Sequence, residues 1–196
     1  MNWENLSTRE KILLAATDLI ADNGYKGTTT KCIAAVAGVS EMTVFRHFGS
    51  KKAILAAIMA MHSFEYPIEN ELRDQLTGEL EADLFRIAQM QYRFNVQNEK
   101  TMLIKFREGK NLVAFHIDVV ESPTKLKEFL VDFFNRMYLK GKIIQSDNER
   151  LAIYFMSISL GLFCDKLLSV YGKVTNITKD EELAYSVRLF AKALRP

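Results

Sequence analysis

Signals that open and close helices recur along the whole chain. Ser7-Thr8-Arg9-Glu10 is a capping box, in which a hydroxyl and a carboxylate three residues on satisfy backbone N–H groups at a helix start. Ile12, Leu13, Ala16, Leu19 and Ile20 then repeat at helical spacing. Asn23-Gly24 closes that helix, because glycine accepts a left-handed cap. A second helix is expected from near Thr29 to just before Gly38, and a third from Ser40 to about Phe48. Gly49-Ser50 stops the third and caps a fourth, Lys51 to about Tyr66, which Pro67 breaks. Five more are expected. One runs from about Gly78 to Gln97 with Thr77 as its cap, and a shorter one covers about Glu99 to Glu108. Ser122-Pro123 opens another that reaches about Leu139, with proline at the tolerant first helical position. Ser146…Glu149 and Thr178…Glu181 are two more capping boxes, opening helices of about 149–171 and 179–194, and Gly172 ends the first of these. Asn111 to Glu121 reads equally as loop, short helix or strand-like stretch. With only 3 prolines and 9 glycines in 196 residues, the chain suits long helices better than many short strands. The fold class is all-α, with about nine helices.

The apolar share of 48% and charged share of 26% are those of an ordinary soluble globular protein and argue against disorder. Net charge is only +2, so the total does not announce a nucleic-acid binder. Its distribution says more. Between residues 26 and 52, Lys26, Lys31, Arg46, Lys51 and Lys52 face one acid, Glu41, whereas basic and acidic residues balance beyond residue 62. A basic patch on a neutral body is what attraction to phosphate requires. The longest mostly apolar run, Leu151 to Cys164, is too short to span a bilayer, which takes about 20 residues. Met1 to Arg9 is polar apart from Trp3 and Leu6, so no secretory leader is expected and the location expected is the cytoplasm. Cys32 and Cys164 have no metal or redox spacing and are expected to be buried free thiols, a redox role for Cys164 being the lesser alternative.

The informative stretch is Gly24 to Leu55. The second helix offers Ile33, Ala34 and Ala37 as a small apolar inner face that lets a neighbour cross closely. Gly38 supplies a tight turn, Val39 plugs the angle, and Ser40 caps the third helix. Val44 and Phe48, four apart, should face inward. Glu41, Met42, Thr43, Phe45, Arg46 and His47 are left largely outward. Exposed Met42 and Phe45 beside Arg46 make sense on a helix that enters a major groove. The plainer alternative is a compact three-helix subdomain with no such role.

Gly27-Thr28-Thr29, Ile33-Ala34, Ala37-Gly38-Val39-Ser40, Thr43, Phe45, His47-Phe48 and Ser50-Lys51 together resemble the N-terminal signature of TetR-type regulators. The resemblance covers about the first quarter to third of the chain. It implies residues 1–50 as a helix-turn-helix DNA-binding domain, 51–66 as a connecting helix, and 67–196 as an effector-binding and dimerisation domain. Thr29, Thr30 and Lys31 then open a helix that meets phosphate. Thr43, His47 and Lys51 correspond to backbone-contacting positions. Ser40, Glu41, Met42 and Arg46 become the base-reading candidates, and an arginine can hold guanine O6 and N7 together. Phe45 stands where the family commonly has tyrosine and Met42 where it often has glycine or alanine. Both departures leave the operator sequence open.

In the second part, Leu151 to Leu168 is apolar nearly all round and must be covered on more than one side. A second copy of the chain would cover what its own domain does not. Ser157, Leu160, Gly161, Cys164 and Leu168 on this helix, with Val187, Phe190 and Leu194 on the last, are the expected dimer interface. A four-helix interface is also what the resemblance implies. The alternative is a monomer with a fully buried central helix. The middle helices are rich in aromatic and methionine side chains. Met90, Gln91, Phe94, Met102, Phe106, His116, Phe133 and Met137 are the candidates for a moderately lipophilic effector's site, with Arg93 a further polar anchor.

These features point to a repressor released from a palindromic operator by a small effector. An enzyme on a helical scaffold and a protein-binding helical adaptor are the competing classes. The three histidines, His47, His62 and His116, come with no HExxH, phosphate loop or glycine fingerprint, so no catalytic set assembles and no metal or other cofactor is expected. An adaptor would leave Arg46, His47 and Lys51 without a partner.

Overall fold

A computed structural model describes residues 3–61, 72–117, 121–168 and 177–196. Their regular structure is helical: α1 (Thr8–Gly27), α2 (Thr30–Ala37), α3 (Glu41–Phe48), α4 (Lys51–Met61), α5 (Leu80–Gln97), α6 (Glu99–Ala114), α7 (Glu121–Leu139), α8 (Asn148–Leu168) and α9 (Lys179–Leu194). The all-α expectation holds. The ends expected at Tyr66 and Gly172, the break at Pro67 and His62 lie outside the described residues, as do the side chains of Ser122 and Leu168.

The chain forms two compact units, one of residues 1–63 with 98–119, the other of 64–97 with 120–196. In the first, α1 packs on α2, α4 and α6, and α3 lies against α2 and α4. Its core is built from Ile12, Leu13, Ala16 and Ile20 of α1, Ile33, Ala34 and Ala37 of α2, Val44 of α3, Ile54, Leu55 and Ile58 of α4, and Ile104 and Leu112 of α6. Those of α1, α2 and α3 are positions the sequence marks as inward, and burying them is what holds short helices that would be marginal alone. α6 reaches Ala114 rather than stopping at Glu108, so the first part of the ambiguous segment is helix. It ends where His116 takes a positive φ of 55° and Ile117 N donates to Leu112 O at 2.9 Å, a Schellman closure.

In the second unit α8 packs on α5, α7 and α9, and α5 also packs on α9. The core gathers Leu84 and Ile87 of α5, Leu126, Leu130, Phe133, Phe134 and Met137 of α7, Ala152 and Phe155 of α8, and Leu183, Val187, Ala191 and Leu194 of α9. Ile144 N donates to Leu194 O at 2.8 Å, Lys142 pairs with Glu79 at 2.8 Å, and Arg195 pairs with Glu81 at 3.1 Å. The starts of α5 and α8 and the finish of α9 therefore share one end, so α5 and α8 run parallel and α9 returns against both.

Helix starts differ from expectation where a buried or better-placed carboxylate competes. Asp83, fully buried, accepts from Thr77 N (2.8 Å), Thr77 Oγ1 (2.9 Å) and Gly78 N (2.7 Å), with the Arg86 guanidinium 3.2 Å away. It holds the residues just ahead of α5, which begins at Leu80, and Thr77 Oγ1 accepts only from Glu79 N, at 3.4 Å. At α8 the cap is Asp147, accepting from Arg150 N at 3.1 Å, and not Ser146. The boxes at Ser7–Glu10 and Thr178–Glu181 form in full. Each holds its glutamate's carboxyl below the usual range through hydrogen bonds from the cap residue. Among the described residues, no helix is long and apolar enough to cross a membrane.

Candidate nucleic-acid interface

The α2–α3 pair is built by its caps. Thr29 Oγ1 accepts from Cys32 N at 3.1 Å and starts α2. Gly38 ends it in the left-handed region (φ 69°, ψ 32°), while Val39 N donates to Ala34 O at 3.0 Å. That is a Schellman turn, which only glycine enters without a Cβ penalty. Ser40 Oγ accepts from Thr43 N at 3.1 Å and starts α3 two residues later. The turn is therefore short, and the two helices share Ile33, Ala34, Ala37 and Val44 as a common buried seam.

That seam decides which face of α3 points out. Val44 is buried and Phe48 half-buried, with the Arg9 guanidinium 5.0 Å from the Phe48 ring. Met42 is 77% and Phe45 45% exposed, and Glu41, Arg46 and His47 are exposed beside them. Ser40 and Lys31 are exposed, and Thr30 and Thr43 half-buried. The structure thus gathers these candidates on the α2 and α3 starts and the outer side of α3. Their engagement is uneven. Thr30 Oγ1 donates to Glu41 Oε1 at 2.6 Å, so that carboxylate ties the two helix starts together. Ser40 and Thr43 share a hydroxyl contact of 2.9 Å.

Lys51 has a role that sequence reasoning did not assign. Its ammonium donates to Tyr25 O and Thr28 O, both at 2.7 Å, and stands 4.2 Å from the Tyr25 ring centroid. It clamps the start of α4 onto the segment just before α2. From the other side Glu108 accepts from Tyr25 N at 2.8 Å, and Arg107 donates to Ala21 O and Asp22 O. Gly24, at φ 74° and ψ 167°, breaks the helix here, and a Cβ on it would come within 3.2 Å of Glu108 Oε1. Thr28, buried, donates to Leu19 O and Gly24 O at 3.0 Å each. The bend carrying Thr29 to Lys31 is thus pinned on three sides. Nothing in the residue types around Glu108 marks it for this role in the sequence.

The residues suggested for the effector do not form one cluster. Met90, Gln91, Phe94, Phe133 and Met137 belong to the second unit, with Phe133 and Met137 packed into its core. Met102, Phe106 and His116 belong to the first unit, where Phe106 and His116 are exposed and His116 serves as a helix-end residue. The suggested interface also divides. Ser157 and Gly161 are exposed, and Leu160 and Cys164 half-buried. Val187 and Leu194 are instead buried in the chain's own core, and Phe190 stacks on Phe155 at 5.4 Å. The exposed large apolar residues of α9 are Tyr185 and Leu189. A periodic apolar helix has two faces, and the one read as outward is the inward one. Cys32 is exposed, contrary to expectation, because it occupies the side of α2 away from Ile33 and Ala34. Partial burial raises the Cys164 thiol, which disfavours the reactive thiolate.

A capped helix pair with a short glycine turn and a second helix that presents Arg46 and His47 outward has the geometry of a helix-turn-helix DNA-binding protein. The family model described as bacterial regulatory proteins, tetR family, matches residues 12–58. YvkB of Bacillus subtilis (strain 168), an uncharacterised HTH-type transcriptional regulator, is 34% identical over 188 residues, covering 95% of this chain and 97% of its own. Among solved structures, the TetR family regulator PfmR from Thermus thermophilus superposes with a TM-score of 0.73 at 18% identity, over 92% of this chain and 97% of PfmR. AibR, solved with isovaleryl coenzyme A and operator DNA, superposes with a TM-score of 0.71 at 22% identity, over 93% of this chain and 97% of AibR. The chain belongs to the tetR family of bacterial transcriptional regulators.

Proposed function

We propose that this regulator is a cytoplasmic homodimeric repressor, holding a palindromic operator with α3 and leaving it when a small, moderately lipophilic effector binds. The observation that carries this reading is the outward face of α3, where Met42, Phe45, Arg46 and His47 are exposed on a helix whose other side is locked into a core. Residues 1–50 read DNA, 51–66 connect, and 67–196 supply the effector and dimer contacts. Arg46 is the base reader, and Met42 and Phe45 touch apolar groove edges. Lys31 and His47 reach phosphates, together with Thr29, Thr30 and Thr43. Glu41 and Lys51 hold the geometry as well as lining it, since both are already hydrogen-bonded within the protein.

One reading helix covers a half-site, so a two-fold pair is required to cover a palindrome. The α8 face with Ile153, Tyr154, Ser157 and Gly161, and the α9 face with Tyr185 and Leu189, supply the apolar surface for that pairing. Effector binding acts through α4, which follows α3 after Gly49-Ser50 in the chain, with a coupling of about 1–3 kcal/mol. AibR, solved with isovaleryl coenzyme A and operator DNA, supports by analogy of fold a regulator that binds both an effector and an operator. The test is an anisotropy titration of labelled operator duplex with and without a panel of apolar metabolites. Release by at least one compound is expected. An operator affinity unchanged by every compound contradicts the effector part, and no salt-dependent duplex binding contradicts the whole.

A further inference from the structure

Resting on the effector reading above, we propose that Gln91, Asn95 and Ser159 form the head-group site of the effector, and that it takes an uncharged molecule bearing a hydroxyl or carbonyl on a largely apolar body. Among the described residues of the second unit, the buried polar residues are these three and Asp83, each at most 2% exposed. Asp83 is fully occupied at the α5 start. The other three are not. Gln91 Nε2 donates to Met156 O at 3.2 Å, which fixes the amide's orientation and leaves Oε1 as an unpaired acceptor. Asn95 Oδ1 and Nδ2 have no protein partner, nor has Ser159 Oγ. A helical serine can turn its hydroxyl to the carbonyl four residues back. Ser157 does so, donating to Ile153 O at 2.8 Å, and Ser159 does not.

These groups are neighbours. Asn95 lies one turn beyond Gln91 on the same face of α5. Ser159 lies nearly one turn beyond Met156 on α8, in the same direction because the two helices run parallel. The Gln91–Met156 bond therefore sets Asn95 and Ser159 at one level between α5 and α8. Met90 and Met156, half-buried against the core of the same unit, are adaptable side chains suited to an irregular apolar body. The trio offers one amide acceptor, one amide with both donor and acceptor, and one hydroxyl. It brings no charge, and Asp83 stands about 18 Å along α5 from Asn95 by the helical rise. A carboxylate or an ammonium would find no counter-ion within the trio, whereas a hydroxyl or carbonyl would satisfy groups the protein leaves open.

The test compares four probes with the same ten-carbon tail: 1-decanol, 2-decanone, decanoate and decylammonium. Full-length protein and its Asn95→Leu and Ser159→Ala variants are titrated calorimetrically and followed by thermal denaturation. Expected is binding of the alcohol and ketone, at least tenfold tighter than either charged probe. Expected also is a tenfold or greater loss in Asn95→Leu, whose own melting temperature is unchanged or raised because an unpaired buried amide is gone. Ser159→Ala, an almost isosteric change, carries the same test should Asn95→Leu not fold. Binding of the charged probes as tightly as the neutral ones, or of none of the four, overturns the proposal. So does alcohol binding that both variants retain, the result expected if only internal water satisfies the trio. Operator titration separates the two readings. Binding through the trio without any change in operator affinity contradicts effector control and leaves the head-group site standing. Ligand-driven release that the variants do not alter does the reverse.

Discussion

Arg46 carries the sharpest expectation at the residue scale. It is exposed in the last turn of α3 and free of the ties that hold Glu41 and Lys51. Arg46→Ala is expected to cost about 1–3 kcal/mol of operator binding and to relax preference at one base pair per half-site. Anisotropy titration on an operator and its single-base variants measures both. Gly38→Ala tests the turn. A Cβ there meets nothing within 4 Å, so the left-handed backbone alone is penalised, by about 1–2 kcal/mol. A lowered melting temperature with an unchanged helical spectrum is expected. An unchanged melting temperature would mean that the turn tolerates alanine. Lys105 gives a pH signature. Burial pushes its ammonium down from 10.5 to about 8. The unfolded chain then holds more protons between those values, so stability is lowest below about 8 and rises as pH climbs toward 10.5. Lys105→Met should flatten that rise in pH-dependent chemical denaturation.

At the scale of elements, Gly161 on α8 is informative. A helix interior glycine costs about 0.5–1 kcal/mol against alanine, and here a Cβ would meet no atom of its own chain within 4 Å. The described residues of its own protomer give no packing reason for it, whereas a closely crossing second copy would. Gly161→Leu is expected to keep its circular dichroism spectrum and to shift sedimentation from dimer to monomer. A dimer undisturbed by this change would place the interface elsewhere. The helix-turn-helix was legible at this scale because local chemistry builds it, with Thr29, Gly38 and Ser40 each acting on backbone within a few residues. The starts of α5 and α8 were less legible, because Asp83 and Asp147 compete with hydroxyls that look equally able. Periodicity located the apolar positions of α9 but not their direction. Val187 and Leu194 went inward and Tyr185 and Leu189 outward, a choice made by packing against α5 and α8.

For the whole molecule, the family and the DNA-binding mode followed from some thirty residues, whereas the effector site could not be read in the same way. Its candidates were drawn from a list of aromatic and methionine side chains that serve both cores. Phe133 and Met137 fill one, Met102 and His116 stand in the other unit, and of the polar trio only Gln91 was singled out. Asn95 and Ser159 become visible when hydrogen bonds are traced and their atoms lack partners. The clamp of Lys51 and Glu108 on the Tyr25–Thr28 bend was equally hidden, since Glu108 reaches it across 83 residues of chain. Duplex binding itself is expected to weaken as salt rises, since cationic side chains such as Lys31 would release counterions from the phosphates they meet. The most direct check is selection of bound duplexes from a random library, run in parallel for the unaltered protein and for Arg46→Ala. Expected is a two-fold symmetric sequence whose half-site centres lie about 34–36 Å apart or a multiple of it, degraded at one position per half in the variant. Enrichment of no sequence, or the same palindrome bound equally well without Arg46, would contradict a pair of α3 helices as the reader.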